Sequence, residues 1–183
     1  MTRPPNSTAP YRVVAEGPWA VARETSSGPC ADCGGRGVAL DFDDAGNEVV
    51  RPCHCRNLQR RLARFNRARI PAQFASCTLD NFTPHEGVGE AFSAAGELAR
   101  TYPLSKRGLL LLGPVGTGKT HLVVALLRKL TLEKGRQGRF VDFLTLLQEL
   151  KKGFETREGT QGLMDDLTGA EVLVIDDLGK GRG

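Results

Sequence analysis

Eight consecutive residues, Gly113-Pro114-Val115-Gly116-Thr117-Gly118-Lys119-Thr120, carry the pattern G-x-x-x-x-G-K-[ST], and each position has a job in holding a polyphosphate. Glycines let the backbone curl so that successive N–H groups point at one anion. The helix expected to start at the end of the loop adds its positive end. Lys119 would place a point charge on the β and γ phosphates and act there in phosphoryl chemistry, while the Thr120 hydroxyl would help hold Mg²⁺. Composition alone produces such a match about 0.01 times in a chain of this make-up. Gly113 to Thr120 is therefore read as a nucleotide-binding loop.

Fifty-seven residues after Lys119, the apolar run Val172-Leu173-Val174-Ile175 ends in Asp176-Asp177. Asp176 would hold Mg²⁺, usually through water, and Asp177 would orient or deprotonate an attacking water. Without the phosphate loop, a solvated acidic turn would be the simpler reading. Asp177 stands one methylene short of a glutamate, and a displacement of about 1 Å can cost about a hundredfold in rate. Slow hydrolysis follows from that. His121 reads as a helix-surface residue rather than a catalyst, and His85 as a turn residue without a signal.

A second chemistry lies upstream. Cys30 and Cys33 are followed after 19 residues by Cys53-His54-Cys55. Four thiolates suit tetrahedral Zn²⁺. The spacing also admits a three-cysteine site completed by His54, although alternate residues of an extended chain point the same way, which favours Cys53 with Cys55. Gly34, Gly35 and Gly37 permit the tight knuckle that brings two sulfurs onto one ion. A unit of about 26 residues has too small a core to fold without such a staple. Cys77 reads as a small apolar residue.

Next comes an arginine run: Arg56, Arg60, Arg61, Arg64, Arg67 and Arg69, with Leu58, Leu62 and Phe65 on one helical face. These cations could grip DNA phosphate or an acidic protein surface. Because Arg outnumbers Lys 18 to 7 over the whole chain, solvated helix positions explain them equally well.

The elements that would position these residues follow from pattern. Proline, Ser, Thr and Gly crowd residues 1–29, which read as a mobile tail in which Trp19 docks locally. Residues 30–55 form a hairpin with cysteines at both feet: Val38, Leu40 and Phe42 alternate, and the turn-forming Asp43 to Asn47 precedes Val49 and Val50. Residues 56–82 are the Arg-rich helix, ended by Pro71, and a linker. Residues 83–183 alternate between helix and strand. A helix from about Val88 to Tyr102 is followed by a buried strand at Leu109 to Leu112, the loop, and a helix to about Leu132. A strand around Phe140 to Phe143, a helix from about Leu144 to Lys152 and the strand Val172 to Ile175 complete the order, that of a parallel sheet flanked by helices.

Composition sets outer bounds. The chain of 183 residues is 40% hydrophobic and 25% charged, enough for one full domain or two small ones. Its +4 net charge is too small to imply a nucleic-acid partner by itself. Residues 1–82 nonetheless carry 11 Arg and no Lys against 8 acids, so any basic patch lies there. No long uncharged apolar run and no secretory signal is present. The five cysteines then belong to a reducing, cytoplasmic compartment, where clustered thiols bind metal more often than they pair.

Together the segments Ile70-Pro71-Ala72-Gln73-Phe74, Thr78-Leu79-Asp80-Asn81-Phe82, Gly108 to Leu122, Arg139 to Phe143 and Val172 to Lys180 resemble AAA+ ATPases of the DnaC/IstB type. These are the bacterial helicase loaders and insertion-sequence transposition helpers. The resemblance spans about residues 70–183. It implies a P-loop NTPase of AAA+ fold binding ATP rather than GTP, with Ile70, Pro71 and Phe74 near the adenine. It also implies assembly on a replicative helicase or a transposase, with DNA as a partner and homo-oligomers built through the AAA+ domain. In such relatives the strand wedged between the phosphate-loop strand and the Asp176 strand comes later in the chain than Gly183. The sensor residue, the arginine finger and the helical lid do so too. The expected architecture is thus an α/β P-loop domain, incomplete at its C-terminus, behind a zinc-ribbon-like hairpin and a basic helix. Such a truncated chain is expected to bind ATP weakly or not at all. A helicase loader leads, a transposition helper is the nearest alternative, and a non-catalytic zinc adaptor with a dead half-ATPase is the alternative of another class.

Overall fold

The computed structural model describes residues 10–26, 28–84, 87–103, 108–155 and 159–179. The tail residues 1–9, His85 and the Lys180 that closes the last matching segment lie outside them.

Residues 11–24 overturn the reading of 1–29 as a mobile tail. Tyr11–Glu16 (β1) and Trp19–Glu24 (β2) pair antiparallel, with Glu16 opposite Trp19 across the two-residue turn Gly17-Pro18. Gly17 takes φ +56°, the left-handed conformation that a tight hairpin turn needs. The prolines that suggested a tail flank this hairpin and make its turn. Ala20 and Ala22 are buried, and β2 is tied down on its free edge. Asn66 accepts from the Ala22 N–H at 2.7 Å and donates to its carbonyl at 3.2 Å, while the Ala20 N–H reaches the Ile70 carbonyl at 2.7 Å. An otherwise exposed sheet edge is thereby satisfied.

Val38–Phe42 (β3) and Glu48–Pro52 (β4) form the expected second hairpin. His54–Arg67 (α1) follows at once. Its Leu58, Leu62 and Phe65 are buried with Ala68, Ile70 and Ala22 in the main core. Removing the Phe65 ring from so closed a site costs about 3–5 kcal/mol. A short 3-10 turn at Ala72–Phe74 ends the linker.

Gly89–Thr101 (α2), Lys119–Leu132 (α3) and Val172–Asp176 (β6) match their expected spans, whereas Gly138–Asp142 (β5) begins two residues before the expected Phe140 and leaves Phe143 to the next helix. Phe143–Glu155 (α4) runs slightly longer than expected, and Gly159–Thr168 (α5) is an additional helix whose Gly-rich, short sequence carries no periodic signal. The parallel sheet is present as one pair, β5 with β6. α3 packs closely on it: a Cβ at Gly138 would come within 2.5 Å of Leu127 and 2.8 Å of Thr131, so only glycine fits.

Leu109 to Leu112, expected as a buried strand, pairs with no strand among the described residues. Leu112 is 83% exposed and Leu110 72%. A cleft of about 430 Å³ separates Leu109 from β6, with Leu98, Leu126 and Leu130 lining it. The segment thus differs from the expected buried strand in forming no ladder among the described residues.

Candidate functional site

The phosphate loop closes onto α3 through three glycines at positive φ: Gly113 at +149°, Gly116 at +87° and Gly118 at +80°. Side chains disfavour these conformations, so the glycine spacing is a backbone requirement. Lys119 folds back over the loop, its Nζ donating to the carbonyls of Gly113 at 2.9 Å and Pro114 at 2.6 Å, with Thr117 Oγ1 at 3.4 Å. The ammonium is thus held where an anion entering the loop would meet it.

A cavity of about 620 Å³ opens beside the loop. Val115, Gly116, Gly118, Lys119 and Thr120 line one wall, and Asp142, Asp176 and Asp177 line another. Pro71, Phe74 and Phe140 make an apolar end. Every residue expected to hold Mg²⁺ or to orient water therefore borders the same space as the loop. Such a space lies at the carboxyl edge of parallel strands, the usual ligand position in α/β sheets. Asp177 takes φ +55°, a left-handed conformation that aspartate tolerates and that turns the chain as it leaves β6. Ile70, expected near a base, is 0% exposed and belongs to the core. Pro71 and Phe74, expected beside the base with it, do line the cavity.

The structure adds Asp142, to which sequence reasoning gave no role, and gives His121, read as a helix-surface residue, a place beside the cavity. Asp142 lies at the end of β5, where its Oδ1 accepts from the N–H and the hydroxyl of Thr145, both at 2.8 Å, capping α4. Its register opposite Asp176 could have signalled it, since a strand and its parallel neighbour end together. His121, half-buried, also borders the cavity and bonds to Thr78 and Asn81.

The four cysteines of the upstream hairpin converge. Cys30 Sγ lies 3.8 Å from Cys53 Sγ, and Cys33 Sγ 3.5 Å from Cys55 Sγ; all four lie within 4.8 Å of one another. A tetrahedral ion with Zn–S bonds of about 2.3 Å sets its sulfurs about 3.8 Å apart, so the donor set fits. Burial raises the Cys33 thiol, but the Gly37 N–H and the neighbouring thiols outweigh it and bring it down to about 7. Bonding to Cys33, together with burial, pushes Cys55 up to about 12. His54 sits beside this cluster, its Nδ1 3.1 Å from Asp32 and its Nε2 3.9 Å from Cys30 Sγ. With Cys30, Asp32 and Cys53 it makes a second, more exposed donor group.

The arginines of α1 divide into two sets. Arg64 donates to the Gly135 carbonyl and Arg61 to the Glu133 carbonyl at 3.3 Å, so both serve the carbonyl end of α3. Arg56, Arg60 and Arg67 are exposed. Their i, i+4, i+11 spacing places them within about 40° of one another around a helix of 3.6 residues per turn. They form one cationic stripe about 16 Å long.

Against known proteins, residues 47–181 match the model of the IstB-like ATP binding protein family, well over half of the chain. The chain belongs to the IstB-like ATP-binding protein family.

Relatives of this IstB-like chain include the replicative helicase loader DnaC of Escherichia coli (strain K12), 29% identical over 118 residues, which are 63% of this chain and 47% of the relative. DnaC of Buchnera aphidicola subsp. Baizongia pistaciae (strain Bp) is 26% identical over 134 residues, 72% of this chain and 53% of the relative. The uncharacterized protein YqaM of Bacillus subtilis (strain 168) is 28% identical over 136 residues, 70% of this chain and 42% of the relative. The chain spans about half the length of the curated relatives it matches. The family match includes Cys53, Cys55, α1 and the whole cavity wall, while Cys30 and Cys33 precede it. Among the described residues, no helix of this IstB-like chain is long and apolar enough to cross a membrane.

Proposed function

We propose that the chain is a Mg-ATP-binding AAA+ switch protein that serves a replicative helicase. The observation that carries this reading is the convergence of Val115, Gly116, Gly118, Lys119, Thr120, Asp176 and Asp177 on one cavity that Pro71, Phe74 and Phe140 also line. In it, the loop N–H groups cradle the phosphates and Lys119 exchanges the Gly113 and Pro114 carbonyls for phosphate oxygens. The Thr120 hydroxyl and the Asp176 carboxylate hold Mg²⁺, which neutralises charge on the phosphates when bound. Asp177 orients water, and Pro71 and Phe74 pack against the base. Leu110 and Leu112 are exposed and, among the described residues, outside any ladder, so no strand pairing there steadies the entry to the loop. ATP binding by this chain is accordingly weak and its hydrolysis slow.

The cysteine cluster is assigned to one structural Zn²⁺ held by Cys30, Cys33, Cys53 and Cys55, a reading supported by the sulfur spacing. The stripe of Arg56, Arg60 and Arg67 is assigned to nucleic-acid phosphate, without base selectivity. ATP binding orders contacts between copies of the protein, and hydrolysis releases them. Relatives named as replicative helicase loaders favour the helicase as partner, whereas the resemblance to IstB-type transposition helpers keeps a transposase as the alternative. Gel filtration of the chain with the purified replicative helicase, and in parallel with an IstB-associated transposase, separates them. Co-elution with the helicase that requires ATP and is lost in Lys119→Ala is expected. ATP-dependent co-elution with the transposase alone would replace the loader reading, and no co-elution with either would favour the zinc adaptor.

A further inference from the structure

Phe82, which does not line the cavity, braces Gly118 of the phosphate loop. A Cβ at Gly118 would lie 2.9 Å from Phe82 Cε2, so the ring occupies the space against which the left-handed turn closes. The ring stacks on Phe92 of α2, centroids 5.5 Å apart and planes 6° from parallel, and cannot retreat without moving that helix. Phe82 is buried together with Leu122 of α3 and Ala95 of α2.

His121 fixes the segment that carries this ring. Its Nε2 lies 3.0 Å from the Thr78 carbonyl and 3.1 Å from Asn81 Oδ1. Both partners are acceptors, so Nε2 bears the proton and its hydrogen-bonding capacity is spent there. Asn81 in turn accepts from the Thr78 N–H at 2.9 Å, donates its own N–H to Thr78 Oγ1 at 3.1 Å and donates from Nδ2 to the Ser76 carbonyl at 2.8 Å. The imidazole meets the Phe82 ring edge-on at 5.2 Å. Since His121 stands in the first turn of α3, the circuit is closed: Gly118 leads into α3, His121 holds Thr78 and Asn81, and these deliver Phe82 back behind Gly118.

We infer that His121 is a positioning residue for phosphate: by fixing Thr78 to Phe82 it sets the Phe82 ring behind Gly118 and holds the loop in its anion-ready turn before nucleotide arrives. This rests on the reading of the loop as an ATP site. Loop order established in advance need not be supplied by the ligand, and affinity rises accordingly. His121 borders the cavity yet acts through the brace, because its donor is committed to the Thr78 to Asn81 turn.

The test combines ADP titration with amide hydrogen exchange of residues 113–120, on the 183-residue chain and on His121→Ala, Asn81→Ala and His121→Gln. Loss of these half-buried hydrogen bonds should weaken ADP and speed loop exchange by about tenfold in the two alanine variants, with thermal midpoints close to the parent's. The His121→Gln variant keeps an amide donor and should retain ADP affinity within about threefold. Unchanged affinity and exchange in both alanine variants would overturn the inference. So would lost affinity with unchanged exchange, which makes His121 a direct ligand. If the parent and Lys119→Ala both fail to bind ADP, the ATP reading falls. The exchange rates then decide the brace alone: faster in His121→Ala supports it, unchanged refutes it.

Discussion

Asp142 and Asp176 stand opposite one another in the parallel register of β5 and β6, so neighbouring strands deliver one carboxylate each to the same cavity edge. Their commitments differ. Asp142 is taken up by Thr145 as the cap of α4, whereas Asp176 is assigned to Mg²⁺. Asp142→Ala is therefore expected to cost about 1 kcal/mol of stability with little change in Mg-ATP affinity. Asp176→Asn should leave the thermal midpoint in place and weaken Mg²⁺-dependent nucleotide binding by about tenfold or more. Calorimetric melting and titration of both variants check the division.

One zinc per chain by elemental analysis is expected, and Cys30→Ser should lose it. Zinc binding must displace protons from the thiols, Cys33 near 7 and Cys55 near 12. Affinity should fall steadily as pH drops and more protons compete. A zinc competition titration across pH reads the slope. Metal-free folded protein would refute the assignment.

The two arginine sets should separate experimentally. Replacing Arg56, Arg60 and Arg67 by Glu should abolish salt-sensitive binding of single-stranded DNA, and neutralising them should reduce the slope of log affinity against log salt by about 2. Arg64→Ala should instead cost about 1 kcal/mol of stability by baring a carbonyl beyond α3, with the salt slope kept. Binding curves at several salt concentrations, with melting of each variant, check both.

Glu171 joins the starts of the two parallel strands. The Gln137 N–H donates to it at 3.0 Å and Arg136 pairs with it at 3.2 Å. The backbone bond, ahead of burial that works against it and helped by Arg136, holds its carboxyl below the usual glutamate value. A depressed folded pKa means stability present above the ordinary glutamate range and lost as pH falls through the folded value. Glu171→Gln should be less stable than the parent at pH 7 by roughly 0.5–1 kcal/mol, discounted for its exposure, with the gap closing in acid. Denaturant melts at neutral and acidic pH compare them.

Much of the site was legible because its chemistry is local. Gly113 to Thr120 and Asp176-Asp177 declare themselves by residue type and spacing, and the cysteine pairs by their distance from a turn. Harder to read were features made by distant chain segments. Tyr11 to Glu24 read as a tail because the Pro and Ser flanking it outweigh its short alternation, yet Asn66 and Ile70 complete its edge from beyond the hairpin. Leu109 to Leu112 has the composition of a strand but joins no ladder among the described residues, since composition does not report a pairing partner. Arg61 and Arg64 resembled their exposed neighbours until the end of α3 came within reach. His121 gave no local sign because its partners lie 40 residues or more upstream.

Titration of ATP into the 183-residue chain, with and without Mg²⁺ and beside Lys119→Ala, decides whether the loop and Asp176 hold Mg-ATP. Weak, saturable binding of one nucleotide per chain, strengthened by Mg²⁺ and lost in Lys119→Ala, is the expected result. Binding that Lys119→Ala leaves unchanged, or no binding by the parent chain, would contradict it.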